Sequence, residues 1–181
     1  NIFLSLCLVV FPMGMAAKQE ATVTSPSGNL TLTAGVDKAG RPYYSLSRGK
    51  EAILLPSYLG VKLKDGSLDS DFGVMGFVRA TKDETWHQPW GEENDVRNHY
   101  NELTMKLAQR KGLKRQLTIV FRVFDDGMGF RYVFPEQKNL KHFVIMDEET
   151  EFCFKGDPEA WTLPYDADYY EGLWTKAPLS K

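Results

Sequence analysis

The sequence predicts an all-β protein with the architecture of an antiparallel sandwich. Apolar and polar residues alternate over short runs, and clusters of Gly, Pro, Asn and Asp separate these runs at short intervals. No segment shows a helical period sustained over three turns. The aromatic content of 13% is high, which favours a strand-rich core over the less frequent alternative, a sugar-facing surface. A length of 181 residues is enough for one good-sized domain.

Charge and cysteine content exclude two classes of protein. The formal net charge of −2 provides no basic surface for nucleic acid. Of the two cysteines, Cys7 lies in the N-terminal apolar run and Cys153 lies in the pattern E-F-C-F-K. One remaining thiol cannot form an internal disulfide, so the domain is not stabilised by disulfides. We expect Cys153 to be a small buried side chain in a strand.

The N-terminal residues are typical of an export signal. An apolar run, Ile2–Met15, precedes the small pair Ala16 and Ala17, after which the sequence becomes polar. This order matches the apolar region and cleavage zone of a secretory signal peptide, and the run is too short for a confident transmembrane helix. We therefore predict a signal peptide over residues 1–17 with its start missing. The mature domain over 18–181 is expected to be secreted, into the bacterial periplasm or beyond, without membrane contact after cleavage.

Turn signals divide the region after residue 20 into strands. Ser25–Asn29 and Asp37–Pro42 interrupt the first alternating runs. Pro56, inside an apolar run, indicates an edge strand, a bulge or a break. Two glycines close together, Gly73 and Gly76, indicate a bulged strand or a close approach of two backbones.

The clearest pair of strands surrounds the sequence Asp-Asp-Gly at 125–127. Before it, Arg115–Phe124 alternates apolar and polar residues, and after it Met128–Phe134 alternates aromatic residues with arginine and valine. The three turn residues predict a hairpin connection between these strands. We expect Arg122 and Arg131 to point outward from the hairpin and to meet acidic neighbours.

The stretch from Trp86 to Glu102 concentrates aromatic and charged residues ahead of a strand. Pro89 and Gly91 predict a turn, and apolar residues alternate with polar ones from Leu103 onward. Aromatic and charged residues therefore cluster just before a strand begins. All-β proteins often build a site or a domain contact at such a position.

Two interpretations of this stretch remain open from the residues alone. In one, it is a buried structural corner in which Trp86 and Trp90 belong to the core and Arg97 pairs with Glu92 or Glu93. In the other, it is a functional loop. The pattern by itself favours the buried corner, because loop charges are usually solvated.

The tail of the chain combines carboxylates with aromatic rings. Aromatic rings can stack on the C–H face of a pyranose, carboxylates can accept hydrogen bonds from its hydroxyls, and carboxylate oxygens also suit Ca²⁺. The spacing is not that of an EF-hand loop. The pattern shows no strand alternation, so we predict a loop and expect further protein after Lys181. The residues concerned are Trp161, Tyr165, Asp166, Asp168, Tyr169, Tyr170, Glu171 and Trp174.

Several separate motifs together resemble the N-terminal domain of glycoside hydrolase family 97. They are W-x-Q-P-W-G-E-x-x-x-x-R-N-H-Y-N-E-L and I-V-F-R-V-F-D-D-G-M-G-F-R-Y, with T-S-P-S-G-N-L and L-P-S-Y-L-G also similar. They occur in the same order as in the family and span about Ala21 to Trp174. This agreement is more specific than any one motif.

The resemblance implies a fold, an activity and a metal. Members of the family are exported bacterial α-glucosidases or α-galactosidases. In them an antiparallel β-super-sandwich of galactose-mutarotase-like type precedes a catalytic (β/α)₈ barrel. The present chain would be that sandwich, truncated at its C-terminal end, with no catalytic residue of its own. The resemblance also implies Ca²⁺ in the active site, with Glu171 donated to it by this domain.

The resemblance further implies a role for the aromatic and polar residues already noted. The substrate would be an oligosaccharide, and Trp161, Tyr170 and Trp174 would lie at the rim of its site. The barrel of the same protein would be the partner domain, contacted through Trp86, Trp90, Arg97, Asn101 and Glu102. The alternative function is a stand-alone carbohydrate-binding sandwich without catalytic activity.

Overall fold

β-Strands make up the regular structure throughout the computed structural model, which describes residues 19–163 and 171–181. The predicted signal peptide lies outside these residues. Within them there is no helix, and therefore none long and apolar enough to cross a membrane. The strands of the described part are β1 (Glu20–Thr24), β2 (Leu30–Val36), β3 (Pro42–Arg48), β4 (Glu51–Tyr58), β5 (Val61–Leu63), β6 (Gly66–Leu68), β7 (Phe72–His87), β8 (Asp95–Gln109), β9 (Gln116–Val123), β10 (Met128–Val133), β11 (Ile145–Glu148), β12 (Glu159–Thr162) and β13 (Thr175–Pro178).

The strands form antiparallel sheets, which confirms the all-β prediction. One four-stranded sheet has the order β1-β2-β3-β4 and a second has the order β10-β9-β8-β7. A three-stranded sheet, β11-β5-β6, and a two-stranded sheet, β12-β13, complete the described part. Consecutive strands are mostly neighbours, as expected for strands joined by short turns.

The two four-stranded sheets pack face to face around one hydrophobic core. The alternating apolar residues of β2, β3, β8 and β9 are buried, as the period of two in their sequences requires. Tyr44 of β3 crosses the interface and meets Phe121 of β9 and Phe130 of β10, with ring centroids 6.1 and 5.5 Å apart. The fold is therefore a sandwich whose centre is aromatic.

Turns at one end of the sandwich also connect the sheets. Ser27 lies in the turn between β1 and β2, and Asp125 lies in the turn between β9 and β10. The Ser27 backbone N–H and hydroxyl both donate to the Asp125 carboxylate, at 2.8 and 2.6 Å. This contact fixes the relative position of the two hairpins.

The predicted hairpin at 125–127 is confirmed, and the prediction for its two arginines is half right. Phe124 N–H donates to Gly127 O at 2.8 Å, which closes the turn between β9 and β10. Arg122 meets an acidic neighbour, because its Nε lies 2.9 Å from Glu102 Oε2. Arg131 is exposed, and no carboxylate among the described residues pairs with it, so that part of the prediction is wrong.

Both predicted irregular strands are confirmed. The ladder between β7 and β8 shifts register between Val74 and Gly76, which leaves Met75 as the extra, exposed residue of a bulge. Pro56 lies in β4, an edge strand, and the ladder with β3 shifts register where Pro56 cannot donate a hydrogen bond.

The expectation for Cys153 is wrong in two respects. Its side chain is half-buried rather than buried, and its segment forms an isolated bridge, Leu54 to Phe154, instead of a regular strand. The segment nevertheless follows the outer edge of β4, since Leu55 N–H donates to Cys153 O at 2.8 Å and Lys155 N–H donates to Ile53 O at 3.0 Å.

The tail also differs from its prediction as a loop, because β12 and β13 pair as a short antiparallel ladder. Trp161 lies opposite Lys176 and Thr162 lies opposite Thr175. Nearly every residue of both strands is exposed. Because neither strand has a buried face, alternation of apolar and polar residues is not required, and the period of two is absent from the sequence of these strands.

The central aromatic contact should dominate the stability of the sandwich. Phe121 is fully buried, so Phe121→Ala is expected to lower the free energy of unfolding by about 3–5 kcal/mol through lost burial and a residual cavity. Urea denaturation measures this. The control Val78→Ala, at a half-exposed position of the same sheet, should cost less than about 1 kcal/mol. Equal losses for the two variants would contradict the central role of Phe121.

Candidate functional site

The C-terminal hairpin presents a carboxylate and several aromatic groups to solvent. Glu171 is exposed, and within residues 19–163 and 171–181 no hydrogen bond or ion pair engages its carboxylate. Around it in sequence, Leu173 is 89% exposed, Trp174 is 61% exposed and Trp161 of β12 is 62% exposed. An unpaired acid close in the chain to two open indole rings can bind a cation or a sugar hydroxyl.

Cross-strand contacts set the register of this hairpin. Lys176 forms an ion pair with Glu159 at 2.5 Å and lies over the Trp161 ring, 5.9 Å from its centroid. The hydroxyls of Thr162 and Thr175 are 3.0 Å apart. In these contacts the carboxylate of Glu159 is paired, whereas no described residue pairs with that of Glu171.

The hairpin alone does not form a metal site. Among the described residues no group of three or more His, Cys, Asp or Glu side chains could hold a metal ion. Tyr170, predicted at the substrate rim, and the nearby Asp166 and Asp168 lie outside the described residues. Among the described residues, Glu171 therefore belongs to no cluster of ligating side chains.

The stretch that begins at Trp86 belongs to a long hairpin rather than to a strand entry. β7 and β8 pair from Phe72 opposite Gln109 to His87 opposite Asp95, whereas β9 covers β8 only from Asn101 to Ala108. The distal part, residues 82–100, is therefore a two-stranded arm that extends beyond the sheet. At its tip, Gln88 N–H donates to Asn94 O at 2.8 Å and Gly91 has φ +100°, so the predicted turn is confirmed.

The buried-corner interpretation of this stretch is wrong. Trp86 is 46% exposed and Trp90 is 81% exposed, so neither belongs to the core. Arg97 pairs with Asp83 through two bonds of 2.8 and 2.7 Å, not with Glu92 or Glu93. The reason is that β8 begins at Asp95, which places Arg97 on the same face of the ladder as Asp83.

The polar residues proposed as contacts to another domain have partners in this one. Asn101 donates to Thr24 O at 2.9 Å and accepts from the Thr81 hydroxyl at 2.7 Å. Glu102 accepts from Arg122, whose guanidinium also lies 4.5 Å from the centroid of the Tyr100 ring. The indole rings of Trp86 and Trp90 are exposed, whereas these polar groups already have partners within the domain. The indole rings are therefore more available for a contact with another domain.

An open cleft of about 580 Å³ is a feature that the sequence did not indicate. Tyr43, Pro56 and Tyr58 contribute its apolar lining and Arg110 one of its charges. Tyr43 donates to Glu20 Oε2 at 2.6 Å, and burial together with this bond raises the pKa of Tyr43 to about 12. The lining residues come from several strands and from the loops beside them, so no local motif could have revealed the cleft.

Comparison with protein families identifies the domain. The model of the family described as "Glycosyl-hydrolase 97 N-terminal" matches residues 23–181. The chain belongs to this family.

Two curated relatives agree with the assignment. A protein from Bacteroides thetaiotaomicron named "Retaining alpha-galactosidase" is 30% identical over 99% of this chain and 27% of its own length. A protein from Streptomyces bingchenggensis named "Probable retaining alpha-galactosidase" is 25% identical over 97% of this chain and 27% of its own length. The chain thus spans about a quarter of the length of these relatives.

Solved structures show the same domain. A glycoside hydrolase family 97 enzyme from Pseudoalteromonas sp. strain K8, in complex with panose, superposes with a TM-score of 0.81 at 31% identity, over 88% of this chain and 24% of that one. A β-arabinopyranosidase gives a TM-score of 0.70 at 27% identity, over 79% of this chain and 22% of that one. The sandwich of the family 97 N-terminal domain is therefore the fold of this chain.

Ion pairs hold the arm of this family 97 domain together. The hydrogen bond from Arg97 lowers the pKa of the Asp83 carboxyl, and the bond from Lys82 does the same for Glu84. A carboxyl whose pKa falls on folding stabilises the fold above its unfolded pKa, and this contribution is lost as the pH falls through the folded pKa. The arm should therefore lose part of its cross-strand stabilisation under acid conditions. Its exposure to solvent keeps each contribution small.

Titration of the arm tests this pairing. In Arg97→Gln the pKa of Asp83 is expected to rise towards its ordinary value, because the bidentate donor is gone. Carbon-detected NMR of the side-chain carboxyls measures the change. Asp37 is the control, since its carboxylate binds Arg41 in a different turn and its pKa should stay the same. An unaltered Asp83 titration would show that the pair does not form in solution.

Proposed function

We propose that this chain is the N-terminal sandwich of a secreted, calcium-dependent α-glycosidase that acts on oligosaccharides, as an α-galactosidase or an α-glucosidase. The observation that carries the proposal is the C-terminal hairpin, where Glu171 is unpaired in the described part and Trp161 and Trp174 are open to solvent. Family membership and the names of the two α-galactosidase relatives support the substrate class. In this proposal the domain forms one side of the active site, and the catalytic groups lie in another domain of the protein.

The catalytic groups are assigned to a barrel domain of the same protein. Glycoside hydrolysis ordinarily requires two carboxyl groups on opposite sides of the scissile bond. In the described part of the hairpin, Glu171 is the carboxylate without a partner, because Glu159 is already paired with Lys176. This domain therefore contributes to substrate binding and to the metal, not to proton transfer or nucleophilic attack.

Glu171 fits a calcium site as one ligand among several. Ca²⁺ takes about 6–8 oxygen ligands and tolerates irregular geometry. An exposed carboxylate without a competing partner meets this requirement, and the remaining oxygens would come from the barrel, the substrate and water. A bound divalent cation polarises a coordinated oxygen and stabilises developing negative charge. Glu171 itself positions the ion by its charge.

The aromatic side chains near Glu171 suit the rim of a sugar site. Trp161 and Trp174 expose apolar faces on which a pyranose ring can stack, and Tyr170 is assigned to the same rim from the sequence. Lys176 lies over the Trp161 ring on the strand opposite, which limits the rotamers open to that indole. The hairpin would then orient substrate by stacking while the barrel provides the reacting groups.

The arm is proposed as the contact with the barrel domain. Arg97 of the arm is paired with Asp83, also of the arm, and Asn101 and Glu102 at its base bond to groups of the sandwich. Trp86 and Trp90 are the large apolar side chains left open on it. Buried tryptophans are frequent anchors of protein interfaces, so these two side chains would carry most of the docking energy.

Replacing the proposed calcium ligand tests the metal assignment. In the full-length protein, Glu171→Gln is expected to weaken calcium binding at least tenfold in titration calorimetry, because a charged ligand becomes neutral. Hydrolysis of p-nitrophenyl α-galactoside and α-glucoside should then require correspondingly more calcium.

Glu159→Gln is the matched control. It removes a carboxylate from the same hairpin, but one already paired with Lys176, so calcium affinity should not change. Equal affinities for wild type and Glu171→Gln would remove Glu171 from the metal site. Sugar binding by a full-length protein that hydrolyses neither substrate would instead favour a carbohydrate-binding module.

The docking role of the arm is tested by thermal unfolding of the full-length protein. Trp90→Ala is expected to weaken the interface by about 2 kcal/mol or more and to separate the unfolding of the two domains. Leu113→Ala is the control, since Leu113 is a 55% exposed side chain in another turn of the sandwich. A single unchanged transition in Trp90→Ala would show that the arm does not dock through this residue.

A further inference from the structure

The open cleft of about 580 Å³ lies beside the sheet β1-β2-β3-β4, at the end where β2 turns into β3. Its size falls within the range of small-molecule sites, about 300–1,000 Å³. Its apolar lining comes mainly from Tyr43, Pro56 and Tyr58, and its charges come from Asp37, Lys38 and Arg110. The cleft thus combines aromatic surface with charged groups, and neither the hairpin nor the arm contributes to it.

The two tyrosines of the cleft are neighbours in one row of residues across this sheet. The row reads Glu20, Gly35, Tyr43 and Tyr58, one residue from each of β1, β2, β3 and β4. Successive residues of a strand point to opposite faces, and the next row contains Tyr44 of the core. The row of Tyr43 and Tyr58 therefore faces away from the core, and both side chains are only half-buried.

Tyr43 is held in place by a hydrogen bond that passes over β2. Its hydroxyl donates to Glu20 Oε2 at 2.6 Å, although Glu20 lies two strands away. Neighbouring strands are about 4.8 Å apart, so this contact crosses the position of Gly35. A Cβ atom at Gly35 would lie 2.7 Å from Glu20 Cβ, which is too close. Glycine at this position therefore permits the contact that orients Tyr43.

Tyr58 is held in place from the turn between β2 and β3. The Arg41 guanidinium carbon lies 3.9 Å from the centroid of the Tyr58 ring, and Arg41 Nη2 donates to the Tyr58 hydroxyl at 2.8 Å. Arg41 Nε in turn donates to Asp37 Oδ2 at 2.8 Å. Both rings are thus positioned by contacts within the protein, which reduces the entropy that a ligand would lose by ordering them.

The charges that line the cleft leave an excess of positive charge. Arg110 Nη2 donates to Phe72 O at 2.8 Å, and a Cβ atom at Gly40 would lie 2.6 Å from that nitrogen, so the guanidinium packs closely against the turn. No carboxylate among the described residues forms an ion pair with Arg110 or Lys38, whereas the Asp37 carboxylate is already paired. The lining therefore favours an anionic group.

We propose that this cleft binds an acidic sugar, a pyranose that carries a carboxylate. The apolar face of the sugar ring packs against the exposed parts of Tyr43 and Tyr58, and the carboxylate binds Lys38 and Arg110 through charge-assisted hydrogen bonds. The choice of a sugar rests on the proposed function, in which the protein acts on oligosaccharides. The choice of an anion rests on the two cations without ion-pair partners.

Titration calorimetry of the full-length protein with three probes tests this proposal. The probes are galacturonate, galactose, which has the same ring with a hydroxymethyl group in place of the carboxylate, and acetate, which has the carboxylate without the ring. Galacturonate is expected to bind at least about tenfold more tightly than either of the other two, because only galacturonate meets both the aromatic and the cationic groups.

Variants assign the binding to the cleft. Lys38→Gln is expected to remove most of the preference for galacturonate over galactose, and Tyr58→Ala is expected to weaken galacturonate binding at least about fivefold through the lost ring contact. Lys50→Gln is the matched control. It makes the same change at an exposed lysine in the turn between β3 and β4, at the far end of these strands, and should leave the affinity unchanged.

A preference for galacturonate that Lys38→Gln removes and Lys50→Gln keeps supports the acidic-sugar site. Equal affinity for galacturonate and galactose overturns the proposal, as does acetate that binds as tightly as galacturonate. A preference that survives both Lys38→Gln and Tyr58→Ala places the ligand elsewhere and also overturns it. Hydrolysis of the neutral α-galactoside and α-glucoside is assayed separately. A protein that hydrolyses either substrate but shows no preference for galacturonate therefore overturns this inference and leaves the proposed function intact.

Discussion

The packing of Tyr44 between the two sheets is the contact on which the sandwich depends. Its ring is fully buried and meets rings of β9 and β10, and its hydroxyl donates to Glu151 O at 3.0 Å. Burial raises the pKa of Tyr44 to about 12, so it stays protonated and can donate at any ordinary pH. One side chain thus joins the facing sheets and fixes the segment that covers β4.

The long hairpin illustrates a different balance of forces. Over the body of the sheet β7 and β8 are stabilised by the core, with Leu103, Met105 and Leu107 fully buried. Beyond β9 that contribution ends, and a two-stranded ribbon in water is at best marginally stable. Cross-strand ion pairs such as Asp83 with Arg97 replace part of the stabilisation that the core provides elsewhere, but exposed ion pairs contribute little. Docking of its tryptophans against another surface, as proposed above, would add the stabilisation that these pairs do not supply.

The sequence predicted those elements in which one face of a strand is buried. The strand over Gln116–Val123, the hairpin turn after it and the bulge near Gly76 all follow from alternation and turn chemistry. The distal arm and the tail were not predicted as strands because most of their residues are exposed on both faces, which removes the period of two that identifies a strand. Trp86 and Trp90 were assigned to the core in one interpretation because large apolar side chains are usually buried. They are exposed because they lie on the part of the hairpin that extends beyond the sheet.

The composition of the tail indicated a candidate site, but the role of Glu171 as a ligand came only from the resemblance. Glu171 has no local motif that marks it as a ligand, and the described part of the chain contains no cluster of acids to hold an ion. A ligand contributed to a shared site needs no ion pair within its own domain, because the metal itself balances its charge. Glu159 already pairs with Lys176, whereas no described residue pairs with Glu171, so Glu171 is the more available of the two. The absence of stabilising contacts at Glu171 among the described residues counts against a structural role and is compatible with its proposed role as a calcium ligand.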